Sequence, residues 1–301
     1  MSSESVSFDR QLLDSWMLAL RAERKSPNTL HAYSQGVRTY TRWCEADGRP
    51  LAFSRRAMQE FNTHQLEDAG LEASTVFNRH VACRRFTAWL LEEGEADVDP
   101  LAGMKGPKMD QKVVIPYTEE QLAALFSACK GTDLMARRDE AIARFMAESG
   151  TRASETVDML VSETHVAAGS AVIRRGKGGK GRIVPFGPQT ARAIDRYLRV
   201  RKTHRLAVTD VLWLGDRGKS FAYPALRKSL SRRAKQAGLP EFHPHKLRHT
   251  FADRWLDKGG SESGLMAVAG WERPEMLLRY TRGRRNARGL EEARSLNLGD
   301  L

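Results

Sequence analysis

The chain has 301 residues, with 49 Lys and Arg against 37 Asp and Glu, a formal charge of +12 and an isoelectric point near 9.9, which points to a polyanionic partner. Hydrophobic residues make up 41%, enough to pack cores in about two domains of ~150 residues. No apolar run approaches the ~20 residues of a membrane span, and the polar start Met1–Ser7 does not read as a cleavable signal, so a cytosolic protein without a membrane partner is expected.

The first third reads as helical. Phe8, Leu12, Leu13, Trp16, Met17 and Leu20 recur at three- and four-residue steps and form one apolar stripe. Ser26-Pro27-Asn28-Thr29 breaks and restarts the chain, with Ser26 or Asn28 as the cap, and Leu30, Tyr33, Val37, Tyr40 and Trp43 continue the period. A third helix is predicted near 56–69, ending at Gly70, and a fourth near 74–93, with Gly94 as its stop. Four amphipathic helices on short connections make a small bundle, residues 1–98.

From 99 to 117 the periodicity lapses: Pro100, Pro107 and Pro116, with Gly103 and Gly106, interrupt regular structure, and Lys105, Lys108 and Lys112 line the segment. This is the predicted boundary, a basic linker able to follow a DNA backbone. A second domain, 118–301, opens on Thr118-Glu119-Glu120-Gln121, which has the capping-box form. Helices are predicted near 118–129, 134–149 and 152–160. Ala171-Val172-Ile173 and Arg182-Ile183-Val184-Pro185 then flank a glycine-rich centre as a hairpin. Further helices are predicted near 188–204, 222–237, 246–258, 262–269, 273–281 and 286–296. The fold class is mainly α with one small β-sheet.

The charge is unevenly spread. Residues 1–107 carry 13 Lys and Arg against 15 Asp and Glu, while 108–301 carry 36 against 22. The basic excess lies wholly in the second part, beside the residues able to do chemistry. Cys44, Cys83 and Cys129, odd in number and far apart, match neither a disulfide framework nor a zinc cluster and read as reduced, buried thiols.

Single motifs carry little alone. Gly176-Lys177-Gly178-Gly179-Lys180-Gly181 is not a P-loop, because neither lysine is followed by Ser or Thr and a strand follows. Two lysines on a hairpin tip suit a phosphate or a base edge, though a solvated turn has the same composition. His243, His245 and His249 invite a metal, but no third ligand type stands near in the required pattern, so none is expected. His245 and Arg248 read better as a phosphate clamp at a helix start. Arg152 with Glu155 three residues on reads as an i,i+3 pair, Tyr280 as a helix tyrosine and Trp271 as core.

Taken together they supply what a tyrosine needs to cut DNA. A phenol, pKa ~10, attacks a phosphodiester usefully only where cations neutralise the phosphorane and an acid protonates the departing oxygen. Arg152, Lys177 25 residues later, His245-x-x-Arg248, Trp271 and then Tyr280 form a series that resembles the tyrosine recombinase family of phage integrases and Xer-type recombinases. Asn28-Thr29-Leu30-His31-Ala32-Tyr33 resembles the entry to its core-binding domain, Asn78-Arg79 through Pro107-Lys108 its closing helix and linker, and His245–Ala252 its signature.

The resemblance implies a SAM-like four-helix core-binding bundle followed by the catalytic domain, the two clamping opposite faces of a duplex. It implies that Arg152, Lys177, His245, Arg248, Trp271 and Tyr280 are catalytic, Glu155 supporting, and Lys180, Arg182, Lys105 and Lys108 DNA-contacting, with no cofactor. It also implies a homotetramer on two attachment or core sites in the nucleoid, a tail helix with Leu290, Ala293 and Leu296 docking in trans, and room for a directionality factor. Most members have histidine where Trp271 stands, and an indole N–H donates but cannot exchange a proton. Trp271 therefore favours a mobile-element integrase over an Xer-type dimer resolvase. Many phage integrases begin with an arm-binding domain, whereas this chain starts almost directly with the bundle. A type IB topoisomerase and a helical regulator reading DNA with Arg232, Arg233 and Lys235 remain the alternatives.

Overall fold

The computed structural model describes residues 5–109, 114–174, 181–277 and 294, and the chain divides into two compact units, 1–113 and 114–301.

In the first unit, α1 (Arg10–Ala22), α2 (Pro27–Ala46), α3 (Arg55–Thr63) and α4 (Ala73–Glu92) form the bundle. Each of the first three starts where a side-chain oxygen accepts from a backbone N–H that the helix leaves unpaired: Asp9 from Gln11, Ser26 from Thr29, and Ser54 from Ala57. Beyond α3 the chain continues as one π-helical turn, His64–Asp68. Two short strands that periodicity does not announce, β1 (Val6–Ser7) and β2 (Ala52–Phe53), pair antiparallel and close one end.

The interior is aromatic. Phe53 stacks on Phe8 and Tyr40 at 4.8 and 4.4 Å, and Phe61 meets Tyr40 edge-on at 5.2 Å. The Tyr40 hydroxyl, buried with these rings, donates to the Ala52 carbonyl at 2.6 Å. This core extends past the helices: Leu101 and Met104 are buried in it, and His80 shares a 3.4 Å contact with the Met104 carbonyl. The first part of the expected linker thus packs on the bundle, while Lys105 and Lys108 stay exposed.

The second unit is built around α6 (Leu134–Ser149), which follows α5 (Glu119–Ala128) and precedes the short α7 (Ala153–Val157). Thr118 and Gln121 make the expected capping box on α5, and Asp133 caps α6. An antiparallel three-stranded sheet follows, β3 (Thr164–His165), β4 (Ser170–Ile173) and β5 (Arg182–Pro185), in which Ile173 pairs with Arg182 at the mouth of the glycine-rich loop. The remaining elements are α8 (Pro188–Arg201), α9 (Tyr223–Gln236), α10 (Pro244–Asp257) and α11 (Glu262–Ala269). Residues 275–277 are helical where the 273–281 helix was expected; its remainder and the 286–296 helix lie outside the described residues, Arg294 excepted.

α6 is covered on nearly every side and carries buried charge. Asp139, fully buried, accepts from Arg138, Ser229 and the Nε of Arg233, tying α6 to α9. Arg233 also donates to the Ala128 carbonyl, so it is a strut between helices and not a groove-reading side chain. Among the described residues no helix is long and apolar enough to cross a membrane.

α2 and α4 touch at Gly36, where a Cβ would lie 2.5 Å from the Ala82 Cβ. Alanine normally gains up to about 1 kcal/mol over glycine inside a helix. Here Gly36→Ala should instead lose about 1–3 kcal/mol in urea unfolding through overpacking. Exchanging the pair, Gly36→Ala with Ala82→Gly, leaves one methyl at the crossing and should recover most of that loss.

Candidate active site

The end of α6 sets the site. Gly150 adopts a left-handed conformation (φ 61°), and a Cβ there would lie 2.2 Å from the Phe251 ring of α10. Only glycine satisfies both demands. The turn beyond it is fixed by buried hydroxyls: Thr151 Oγ1 lies 3.1 Å from Ser149 Oγ and 3.0 Å from Thr156 Oγ1, which donates to the Arg152 carbonyl. Arg152 follows in extended conformation as the residue before α7.

Glu155, on the first turn of α7, is the meeting point. Its Oε2 accepts from the Arg152 backbone N–H at 2.9 Å and its Oε1 from the Arg152 guanidinium at 2.7 Å. Arg182 approaches the same carboxylate with a two-pronged fork, Nη1 to Oε1 at 3.2 Å and Nη2 to Oε2 at 2.8 Å, and its Nε donates to the Val268 carbonyl at 2.7 Å. Burial alone would raise the Glu155 pKa, but the hydrogen bonds from Arg182 and Arg152 outweigh it and hold the carboxyl below its ordinary range. The side chain of Arg182 is 11% exposed. Arg182, which the resemblance places among the DNA-contacting residues, instead directs its side chain inward onto Glu155 and the Val268 carbonyl.

Arg248, on α10 and 1% exposed, donates through Nη1 to the Gly150 carbonyl and through Nη2 to the Ala269 carbonyl, each at 2.7 Å. These carbonyls belong to the C-terminal ends of α6 and α11, where the helix dipole is negative and favours a cation. The guanidinium lies 5.3 Å from the centre of the Trp271 ring, which is buried one residue beyond the left-handed Gly270. His245 is exposed on the first turn of α10, its ring edge-on to His249 at 4.8 Å. The base of that turn is pinned by Thr250, whose Oγ1 accepts from the Tyr117 N–H and donates to the Lys246 carbonyl.

Two sets of contacts thus meet at the end of α11, Arg152 and Arg182 on Glu155 with the Val268 carbonyl, and Arg248 with Trp271 at the Ala269 carbonyl, with His245 three residues from Arg248 on the same helix. Lys177, Lys180 and Tyr280 lie outside the described residues, as do Leu290, Ala293 and Leu296. The carbonyls of Gly150, Val268 and Ala269 were not anticipated from the sequence; the glycines ending α6 and α11 were the signal that helix ends would converge there.

Residues 116–286 match the model of the phage integrase family, and residues 13–94 match that family's N-terminal SAM-like domain. The chain is 31% identical over 236 residues to a protein named tyrosine recombinase XerD of Ralstonia nicotianae, covering 77% of this chain and 76% of the relative. Its fold resembles the XerH site-specific recombinase in a post-cleavage complex with palindromic difH substrate (TM-score 0.70, 18% identity, 95% of this chain and 93% of that one). It also resembles a lambda integrase tetramer bound to a Holliday junction (TM-score 0.65, 15% identity, 86% and 77%). The chain belongs to the phage integrase family. Its class is that of the tyrosine recombinases, enzymes that cut and rejoin DNA.

The Glu155 network yields a pH prediction. Because the folded carboxyl titrates below its ordinary value, it stabilises at neutral pH and loses that contribution as pH falls through the usual glutamate pKa of ~4.3 and then through its own lower one. Glu155→Gln should cost about 3 kcal/mol in urea unfolding near neutrality. The gap from wild type should narrow steadily below about pH 4.5. A gap that stays constant into that acid range would remove the charged network from the stability of the fold.

Proposed function

We propose that the chain is a site-specific recombinase of mobile-element integrase type, which cuts duplex DNA through Tyr280 and rejoins it to a new partner strand. In this reading residues 1–98 are a core-binding bundle, 99–117 a linker carrying Lys105 and Lys108 toward the phosphate backbone, and 118–301 the catalytic domain. The observation that carries it is the anchoring of two arginines, Arg152 and Arg248, to one helix end: Arg152 follows Gly150 by two residues, and Arg248 bonds the Gly150 carbonyl.

Two permanently charged forks tied to one turn suit the non-bridging oxygens of a single phosphate. Arg152 commits one guanidinium N–H to Glu155, and the side chain remains 23% exposed. His245 adds a donor near the N-terminus of α10, where an anion is favoured.

The step balances without further reagents. The Tyr280 oxygen attacks phosphorus as its proton passes to the His245 imidazole, the base of this step. The bond from phosphorus to the 5′ oxygen breaks, and Lys177 delivers the proton that makes a 5′-hydroxyl. Trp271, an N–H donor with no exchangeable acid function, packs on Arg248 and serves binding. The 3′-phosphotyrosine keeps the bond energy, and the reverse sequence joins a different 5′ end. Lys180 contacts DNA beside the break, and four protomers on two sites assemble with the tail of one docked on its neighbour.

Tyr280→Phe should bind a core duplex selected from a random-sequence library as tightly as the wild type, yet leave no adduct that survives SDS; an adduct in that variant would dismiss Tyr280. Lys177→Ala should cleave the ordinary duplex about 10²–10⁴-fold more slowly, the usual value of general acid catalysis. It should recover most of that rate when a 5′-bridging sulfur, which leaves without protonation, replaces the oxygen. Equal impairment on both substrates would give the proton to another group.

A further inference from the structure

Arg182 has a more specific task than its position beside the lysine loop suggests. It is the first residue of β5, paired with Ile173, so its backbone is held in the sheet. Its guanidinium holds both oxygens of Glu155 and the Val268 carbonyl of α11 at once. The packing leaves no slack: a Cβ on Gly270 would lie 3.1 Å from the guanidinium. Glu155 itself sits on a helix of only five residues, too short to be rigid by its own hydrogen bonds.

We propose that Arg182 is a positioning residue for Arg152, acting through Glu155; this rests on the assignment of Arg152 to the scissile phosphate. The argument is one of competition for a carboxylate. With Arg182 forked across both oxygens, the Arg152 side chain makes a single contact to Oε1. Remove that fork and Glu155 is a buried, negative, under-bonded group, 3% exposed at its side chain. The strongest donor within reach is Arg152, which then closes on it with two N–H groups and turns away from the substrate. Arg182 therefore keeps Glu155 satisfied so that Arg152 keeps its donors for phosphate.

Lysine cannot replace it. An ammonium is a point charge whose three N–H groups do not match two carboxylate oxygens and a carbonyl arranged around a plane. Arg182→Lys keeps the charge and most of the apolar stem, so it is the variant of choice, with Arg182→Gln as the neutral second variant.

The test measures single-turnover adduct formation on the selected core duplex, carrying either a normal scissile phosphodiester or a methylphosphonate. The methylphosphonate is uncharged and so has less need of a cation. Arg152→Ala is run alongside. On the diester, Arg182→Lys should be about 10–100-fold slow, the scale of a catalytic group displaced by about 1 Å, with duplex binding near wild type. On the methylphosphonate the deficit should largely vanish, as for Arg152→Ala, and a 5′-bridging sulfur should leave it in place.

A wild-type rate for Arg182→Lys, or a deficit equal on diester and methylphosphonate, would overturn the proposal in favour of a purely structural arginine. If Arg152→Ala itself gains nothing from the neutral phosphonate, it is the assignment of Arg152 that fails, and the two failures are thereby told apart. Should Arg182→Lys not fold, Arg182→Gln takes its place in the same comparison: a diester deficit relieved by the phosphonate upholds the proposal, and a deficit equal on both substrates refutes it.

Discussion

A guanidinium that cannot lose its proton lies at 1% exposure between the ends of two helices, and the catalytic unit is arranged to tolerate it. Burying such an ion costs several kcal/mol. Arg248 meets that cost with hydrogen bonds to the Gly150 and Ala269 carbonyls, at the negative poles of α6 and α11. The requirement spreads outward. α6 must stop at Gly150 to free its carbonyl, and it stops there because a left-handed glycine packs against Phe251, one turn along α10 from Arg248. The same helix that brings the cation therefore shapes the turn that receives it.

Glu155 extends this logic to the second arginine. A carboxylate among cations would, alone with Arg152, simply cancel the charge the site needs. By taking Arg182 as well, it becomes a bridge between two positive groups and leaves one positive charge in excess, with Arg152 the more exposed of the two arginines. The lowered pKa of Glu155 has the same origin: burial opposes the anion, and the two arginines more than restore it. The field is set before any substrate arrives, the condition under which donors stabilise a developing charge most effectively.

Much of this was legible in the sequence. The helices showed through their apolar period and caps: α6 runs over the expected 134–149, and Thr118 with Gln121 formed the box that its spacing announced. Strands of two residues carry no period, which is why β1, β2 and β3 went unseen. Proline and glycine pointed to irregular backbone, as 99–109 and 114–117 have, but said nothing of burial, so Leu101 and Met104 entered the bundle core unannounced. Arg182 and Arg233 show the main limit. Composition reveals that a side chain is cationic, whereas only tertiary structure reveals that its partner is Glu155 or Asp139 and not a phosphate.

The members of the constellation span two mechanical classes. Arg248 and Arg182 are buried and tied to two elements each, and neither can move without breaking a carbonyl bond at α6 or α11. Arg152 and His245 stand closer to solvent on a turn and a first helical turn, each a few covalent bonds from a fixed point. Such a division suits the proposed reaction, which must run in both directions: the buried guanidinium groups keep the positive background constant while the strands are exchanged. Arg152 and Arg182 share one carboxylate, so the fixed arginine and the more exposed one are held by the same group, Glu155.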